Sequence, residues 1–241
     1  TLFQQSGYQV VEPELPADVC VINTCTVTKT GDGKSRQLIR RFRSRNPKAV
    51  VVATGCYVQV APQEVASVPG VDLVLGNNCK HEIVQRVEAL LKSHRPGASV
   101  QVEVLSRREL DQYETLPVSG WTGQTRAFLK VQDGCDRFCS YCIIPYARGP
   151  VRSRPVADAV AEAEHLVGKG FSEFVVTGIQ LASYQDDKSA MESRKKGDCE
   201  TGLQRLLRAL EGVEGVRRIR LGSLEPFTLT PEFLDELRMN E

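Results

Sequence analysis

The 241-residue chain lacks any apolar run near the roughly 20 residues that a membrane-spanning helix requires, which excludes a helical membrane protein. It also lacks a basic region followed by an apolar core at its start, so Thr1-Leu2-Phe3-Gln4-Gln5 is not a secretory leader and a cytoplasmic location is expected. Net charge is nearly absent, at +1, and bulk electrostatics alone therefore imply no nucleic acid. There is no methionine at position 1, and the only two are Met191 and Met239. The chain opens in what reads as the last turn of a helix and stops inside another, so a piece cut at both ends is expected. Eight cysteines are too few for a disulfide scaffold of this length, and they are unevenly placed. In a chain without an export signal, clustered cysteines read as metal or cluster ligands before disulfides. Hydrophobic residues at 41% and charged residues at 25% are near the globular average, which excludes a disordered chain, a collagen-like fibre and a coiled coil.

What is present first is an alternation of strands and helices. Val19–Ile22, Ala49–Ala53 and Val71–Leu75 are short, β-branched runs bounded by Gly, Pro or Asn, as buried parallel strands are. A helix over 34–45 places Leu38, Ile39 and Phe42 on one face, and another over 81–92 carries Ile83, Val84, Val87, Leu90 and Leu91. This order predicts a small α/β domain of Rossmann or flavodoxin type over residues 1–92. Residues 93–125 read as a linker, with one short strand at Val100–Leu105. From 126 to 241 the alternation returns. Strands are expected at Ala127–Gln132, Glu173–Thr177 and Val216–Leu221. Helices are expected at Val156–Val167, around Leu203–Leu210, and from Thr230-Pro231 onward. Three βα units in a row predict half of a β/α barrel. Asp186–Thr201 is a polar, charged insertion.

The strongest chemical signal is Cys135-Asp136-Arg137-Phe138-Cys139-Ser140-Tyr141-Cys142, directly after the first strand of the second domain. Three thiols in one short loop can converge on one metal centre. A closed zinc site takes four ligands, and so does a plain [4Fe–4S] cluster. Three leave one iron open to a substrate or cofactor; a zinc knuckle borrowing a fourth ligand such as His165 is the alternative. Cys25 and Cys56 each lie just past a predicted strand, where α/β sheets bind ligands, although two buried, inert cysteines satisfy the same pattern. Cys20, Cys79 and Cys199 are read as core, turn and insertion residues. A third feature is charge: Lys34, Arg36, Arg40, Arg41, Arg43 and Arg45 lie between Lys29 and Lys48 against one acid, Asp32. With the apolar face inward, the basic residues point outward, which suits phosphate contacts as well as plain solvation.

The C-x3-C-x2-C spacing with an aromatic before the last cysteine resembles the signature of radical S-adenosylmethionine enzymes. The longer string from Val131-Gln132-Asp133-Gly134-Cys135 through Cys142-Ile143-Ile144-Pro145-Tyr146-Ala147-Arg148-Gly149, with Pro150-Val151-Arg152-Ser153-Arg154-Pro155 after it, resembles the methylthiotransferases within that group. Val21-Ile22-Asn23-Thr24-Cys25 and Ala53-Thr54-Gly55-Cys56 are similar to the same family. The resemblance implies a radical S-adenosylmethionine [4Fe–4S] cluster on Cys135, Cys139 and Cys142. It implies a second [4Fe–4S] cluster on Cys25 and Cys56, whose third ligand belongs to a segment upstream. For S-adenosylmethionine it implies contacts from Tyr141, Ile143, Gly178, Ser223 and Glu225; for tRNA, from Arg40, Arg41, Arg43, Arg148, Arg152 and Arg154. The implied reaction replaces the C2 hydrogen of a modified adenosine beside the anticodon with a methylthio group. One S-adenosylmethionine donates the methyl, and a second is cleaved reductively to the radical that activates C2. An electron donor of flavodoxin or ferredoxin type and a sulfur source are the further partners. Tyr146-Ala147-Arg148-Gly149 and Leu221-Gly222-Ser223-Leu224-Glu225-Pro226 are most similar to the branch acting on N6-threonylcarbamoyladenosine. The isopentenyladenosine branch and a ribosomal-protein aspartate methylthiotransferase are the alternatives within the family; outside it stands a non-catalytic zinc or iron–sulfur module.

Overall fold

The computed structural model describes residues 2–93, 99–116, 125–185, 201–222 and 224–239. The chain divides into two compact units, Thr1–Val118 with Asp136–Pro150, and Ser119–Cys135 with Val151–Glu241. Among the described residues no helix is long and apolar enough to cross a membrane.

The first unit begins with α1 (Leu2–Gln5) and is built on β1 (Val19–Thr24), β2 (Val50–Gly55), β3 (Leu73–Leu75) and β4 (Gln101–Glu103), in that spatial order and all parallel. β4 comes from the stretch read as a linker, and its pairing with β3 makes it the sheet's fourth strand. Helix α2 (Lys29–Arg45) starts five residues ahead of its predicted start. Its first turn is set by the Thr28 side chain, which accepts from Gly31 N at 3.1 Å and satisfies one otherwise orphaned donor. Two short helices, α3 (Cys56–Val60) and α4 (Pro62–Ala66), follow β2; α5 (Ile83–Lys92) follows β3; and α6 (Ile144–Arg148) comes from the later segment. Period-two alternation explains the layering. Val51 and Ala53 pack with Ile39, Val58 and Val65 on one face of the sheet, while Val50 and Val52 pack with Ile83, Val87 and Leu90 on the other. A β-branched strand apolar on both sides needs cover on both sides, and it has it. One expectation is corrected here: Leu38 is 39% exposed and lies outside the buried stripe, where Ile39 is fully buried.

The second unit holds β5 (Ala127–Lys130), β6 (Gln132–Asp133), β7 (Arg152–Ser153), β8 (Glu173–Thr177) and β9 (Arg218–Leu221). β5, β8 and β9 form a parallel sheet in that order, and β6 and β7 pair antiparallel. Helices α7 (Val156–Val167), α8 (Gly202–Glu211) and α9 (Pro231–Met239) complete three βα units. Their stripes, including Ala159, Ala163, Leu166, Leu203 and Leu206, pack with Leu129, Phe174 and Val176 of the sheet. Thr201 opens α8 with a reciprocal cap: its hydroxyl accepts from Gln204 N, and the Gln204 side chain accepts from Thr201 N. The rest of the insertion, 186–200, lies outside the described residues, and Cys199 with it.

Candidate iron–sulfur and cofactor site

In the second unit, polar side chains gather where the parallel strands end. Gln132, wholly buried just past β5, turns its amide on its own loop, donating from Nε2 to the carbonyls of Asp133 at 2.8 Å and Gly134 at 2.7 Å. Its Oε1 accepts from Gln180 N at 2.7 Å, just past β8. Gln180, also buried, donates from Nε2 to Glu225 Oε2 at 3.0 Å and accepts from the Cys135 thiol at 3.1 Å. Gly178 makes this close approach possible, because a Cβ there would sit 2.8 Å from the Gln132 side chain. One continuous hydrogen-bonded chain therefore joins the ends of β5 and β8 to Cys135 and Glu225. Each buried amide is fixed by its own partners, Gln132 by the backbone of Asp133, Gly134 and Gln180 and Gln180 by Cys135 and Glu225, since neither can rotate without stranding a buried donor or acceptor. Of the residues expected to contact S-adenosylmethionine, Glu225 bonds Gln180 and Gly178 lies against Gln132, while Ser223 lies outside the described residues. Gln132 and Gln180 were not singled out from sequence. The available signal was their position, polar and immediately past a strand's carboxyl end.

Arg152 and Arg154, expected against nucleic acid, are corrected by the structure. Both are buried and turned inward. Arg152 lies 3.5 Å from Asp133, and Arg154 pairs with Glu162 and donates to Asp158 O at 3.0 Å. Their charges hold the β6–β7 pair and the start of α7 in place.

In the first unit, β1 and β2 pair in parallel with Thr24 opposite Gly55, so Cys25 and Cys56 follow the same ends of neighbouring strands. Gly55 adopts φ 104°, and a side chain there would run into the Thr24 carbonyl. Cys25 is exposed and Cys56 is buried. Arg148, expected against nucleic acid, points instead at Cys56 and donates from Nε to its Sγ at 3.1 Å. The neighbouring Ala147 carbonyl accepts from Asn77 Nδ2 at 2.7 Å in a fully buried bond. Beside them Arg36 and Tyr57 both reach Glu64 Oε1, and burial first, then the Glu64 carboxylate, pushes the Tyr57 hydroxyl's pKa up. Tyr141 is 89% exposed, and Ile143 is half-buried at the start of α6.

Among the described residues, no three His, Cys, Asp or Glu side chains are gathered to hold a metal ion. The donor chemistry of the loop nonetheless suits one. Cys135 and Cys142 are half-exposed and Cys139 exposed, so none is packed away as an inert core thiol. One backbone bond, Cys142 N to Cys139 O at 2.9 Å, closes a turn that carries two of the three. Cys20 is the contrast. It is buried and touched by Asn46 Nδ2 at 3.7 Å, and burial pushes its thiol pKa up. Cys79 is half-buried and shifts the same way for the same first reason.

Comparison with known proteins bears on the choice between a cluster loop and a zinc knuckle. Residues 129–239 match the radical SAM superfamily, and residues 1–76 match the uncharacterized protein family UPF0004. The chain is 45% identical over 232 residues to a threonylcarbamoyladenosine tRNA methylthiotransferase of Aquifex aeolicus, covering 96% of this chain and 53% of that protein. It is 41% identical over 237 residues to its Bacillus subtilis counterpart, covering 98% and 49%.

The chain is thus similar along nearly its whole length to radical S-adenosylmethionine methylthiotransferases.

It spans about half the length of the curated relatives it matches. In fold, it is similar to the radical S-adenosylmethionine methyltransferase TsrM of Kitasatospora setae, solved with cobalamin and a [4Fe–4S] cluster bound. That match has a TM-score of 0.50 at 19% identity and covers 87% of this chain and 49% of that one. The two matched regions fall on the two parallel sheets described above: UPF0004 over β1 to β3, and radical SAM over β5 to β9.

Proposed function

We propose that this chain is part of a tRNA methylthiotransferase that replaces the C2 hydrogen of N6-threonylcarbamoyladenosine beside the anticodon with a methylthio group. The observation that carries the reading is the hydrogen-bonded chain Cys135–Gln180–Glu225 at the carboxyl ends of the second unit's strands, at the head of the C-x3-C-x2-C loop. In this reading Cys135, Cys139 and Cys142 hold the [4Fe–4S] cluster. An unactivated aromatic C–H offers a general base no acidic proton and no leaving group, and the cluster with S-adenosylmethionine supplies the one-electron chemistry it needs. Gln132 and Gln180 keep the Cys135 end of the loop in one orientation, and Gly178 leaves room for a ligand to approach the backbone. Glu225, an anionic acceptor on this chain, suits the positive charge of S-adenosylmethionine; Tyr141 and Ile143 are the apolar contacts proposed for its adenosine. Cys25 and Cys56 contribute thiolates to a second cluster, and the exposed arginines of α2 contact the tRNA backbone. An electron donor and a sulfur source complete the partners, and the reading places the enzyme in the cytoplasm with its substrate.

The test is the nucleoside content of tRNA from a strain deleted for the full-length gene. The methylthio form of N6-threonylcarbamoyladenosine should disappear. It should return with the wild-type gene and stay absent with Cys135→Ala, Cys139→Ala or Cys142→Ala. Loss of methylthio-isopentenyladenosine, or of a modified ribosomal-protein aspartate, would move the reading to those branches.

A further inference from the structure

The segment from Asp136 to Arg148 carries an aromatic arrangement that the cluster reading does not use. Phe138 has φ 49°, a left-handed conformation that bulky residues rarely adopt, and 47% of it is exposed. Its ring meets Tyr146 edge to face, with centroids 5.7 Å apart and planes at 80°. The Arg107 guanidinium lies over the Phe138 ring at 4.8 Å. Arg107 is itself fixed, donating to Asp136 Oδ1 at 2.6 Å and to the Pro145 carbonyl at 3.2 Å. One side of Phe138 is thus covered by a cation that cannot swing away. Tyr146 is edge-braced and 56% open to solvent. Beside it is a surface cavity of about 830 Å³, lined by Tyr146, Ile143, Arg107, Ser106, Gln63 and Val104, among others. That volume is within the range of small-molecule pockets, roughly 300–1,000 Å³.

Packing alone would bury two adjacent aromatic rings; here they are held rigid and half open. Rigid exposed rings beside a concavity, braced by arginine, are what unpaired nucleic acid is bound with. Every base has a π-face, and RNA loops offer bases that can be splayed out and stacked on aromatic or guanidinium planes. The charge around the ring pair agrees. Asp136 is committed to Arg107, and Glu109 accepts from the Ser106 backbone at 2.7 Å, while Arg108, next to Arg107 in sequence, is exposed. We propose that Tyr146, braced by Phe138 and Arg107, is a stacking platform for one unpaired base of the substrate RNA's loop. The neighbouring cavity takes the rest of that nucleotide. The inference rests on the reading of RNA as substrate and adds to it a place on the protein.

The experiment uses the full-length, cluster-loaded protein and anticodon stem-loop RNAs carrying 2-aminopurine at one unpaired position at a time. Wild type and Tyr146→Phe should quench the probe at one position. Tyr146→Leu should lose that quench and bind roughly 5- to 150-fold more weakly, the worth of one base–aromatic stack. The salt dependence of binding should not change with Tyr146→Leu, because no phosphate contact is lost. Tyr146 is an exposed ring, so an unchanged melting curve will show that the variant is folded. Equal binding and equal quench by Tyr146→Leu would overturn the platform, as would RNA that binds with no position quenched. Wild-type protein that binds no stem-loop at all, but does bind a ribosomal-protein peptide, would overturn the RNA reading itself.

Discussion

Arg43 is the residue at which the charge on α2 divides into two kinds. Its guanidinium pairs with Asp72, a carboxylate only 2% exposed, and donates to the carbonyls of Gly70, Pro47 and Ala49. Asp72 in turn accepts from Val51 N at 2.8 Å, tying the end of the helix to the middle strand of the sheet. Arg43 was expected to face nucleic acid; it faces inward and stabilises the fold. Arg43→Met leaves a buried carboxylate without its cation and should destabilise the unit by about 3 kcal/mol. Arg40→Gln or Arg41→Gln, both at exposed positions, should stay within about 0.5 kcal/mol. Urea unfolding followed by circular dichroism reads both, and equal midpoints for all three variants would refute the division. Sequence could not make it, because composition counts charges and does not say which carboxylate is buried opposite them. The burial of the cysteines was more legible, since Cys20, read as core, is buried and Cys135, Cys139 and Cys142, set apart by spacing, are not. The buried amides Gln132 and Gln180 were not legible, since a glutamine's role depends on partners 48 residues away.

At the scale of elements, α2 keeps Lys34, Arg40, Arg41 and Arg45 exposed after Arg43 and Arg36 are committed to partners. If this face meets RNA phosphates, Arg40→Gln with Arg41→Gln should lower the log–log salt slope of tRNA binding by about one unit per lost contact. Filter binding from low to moderate salt measures it, and an unchanged slope would make the face merely solvated. The long elements were readable because burial imposes a period. Val50–Val52 had to be a strand with both faces covered, and the stripe of α8 had to be a helix. The short elements were not. β4, β6 and β7 have two or three residues each, and α3, α4 and α6 have five. Such pieces are too short for a period to show, and tertiary contacts hold them, such as Asn77 to Ala147 or β6 to β7. Leu38 was misplaced for a related reason: a helix stripe has two edges, and sequence does not say which edge meets the sheet.

At the scale of the molecule, two parallel sheets each present candidate site residues past strand carboxyl ends, in two units that two different family patterns match. The chemistry proposed here turns on the loop that begins at Cys135, and anaerobic reconstitution with iron and sulfide probes it. The protein is then reduced with dithionite in the presence of S-adenosylmethionine, and 5′-deoxyadenosine and methionine are measured. About four irons should be bound by the C-x3-C-x2-C loop, with cofactor cleavage. Cys135→Ala, Cys139→Ala and Cys142→Ala should each abolish that cleavage while the first unit's circular dichroism persists. Stoichiometric zinc in place of iron, or cleavage that survives loss of any one of these thiols, would contradict the proposed chemistry.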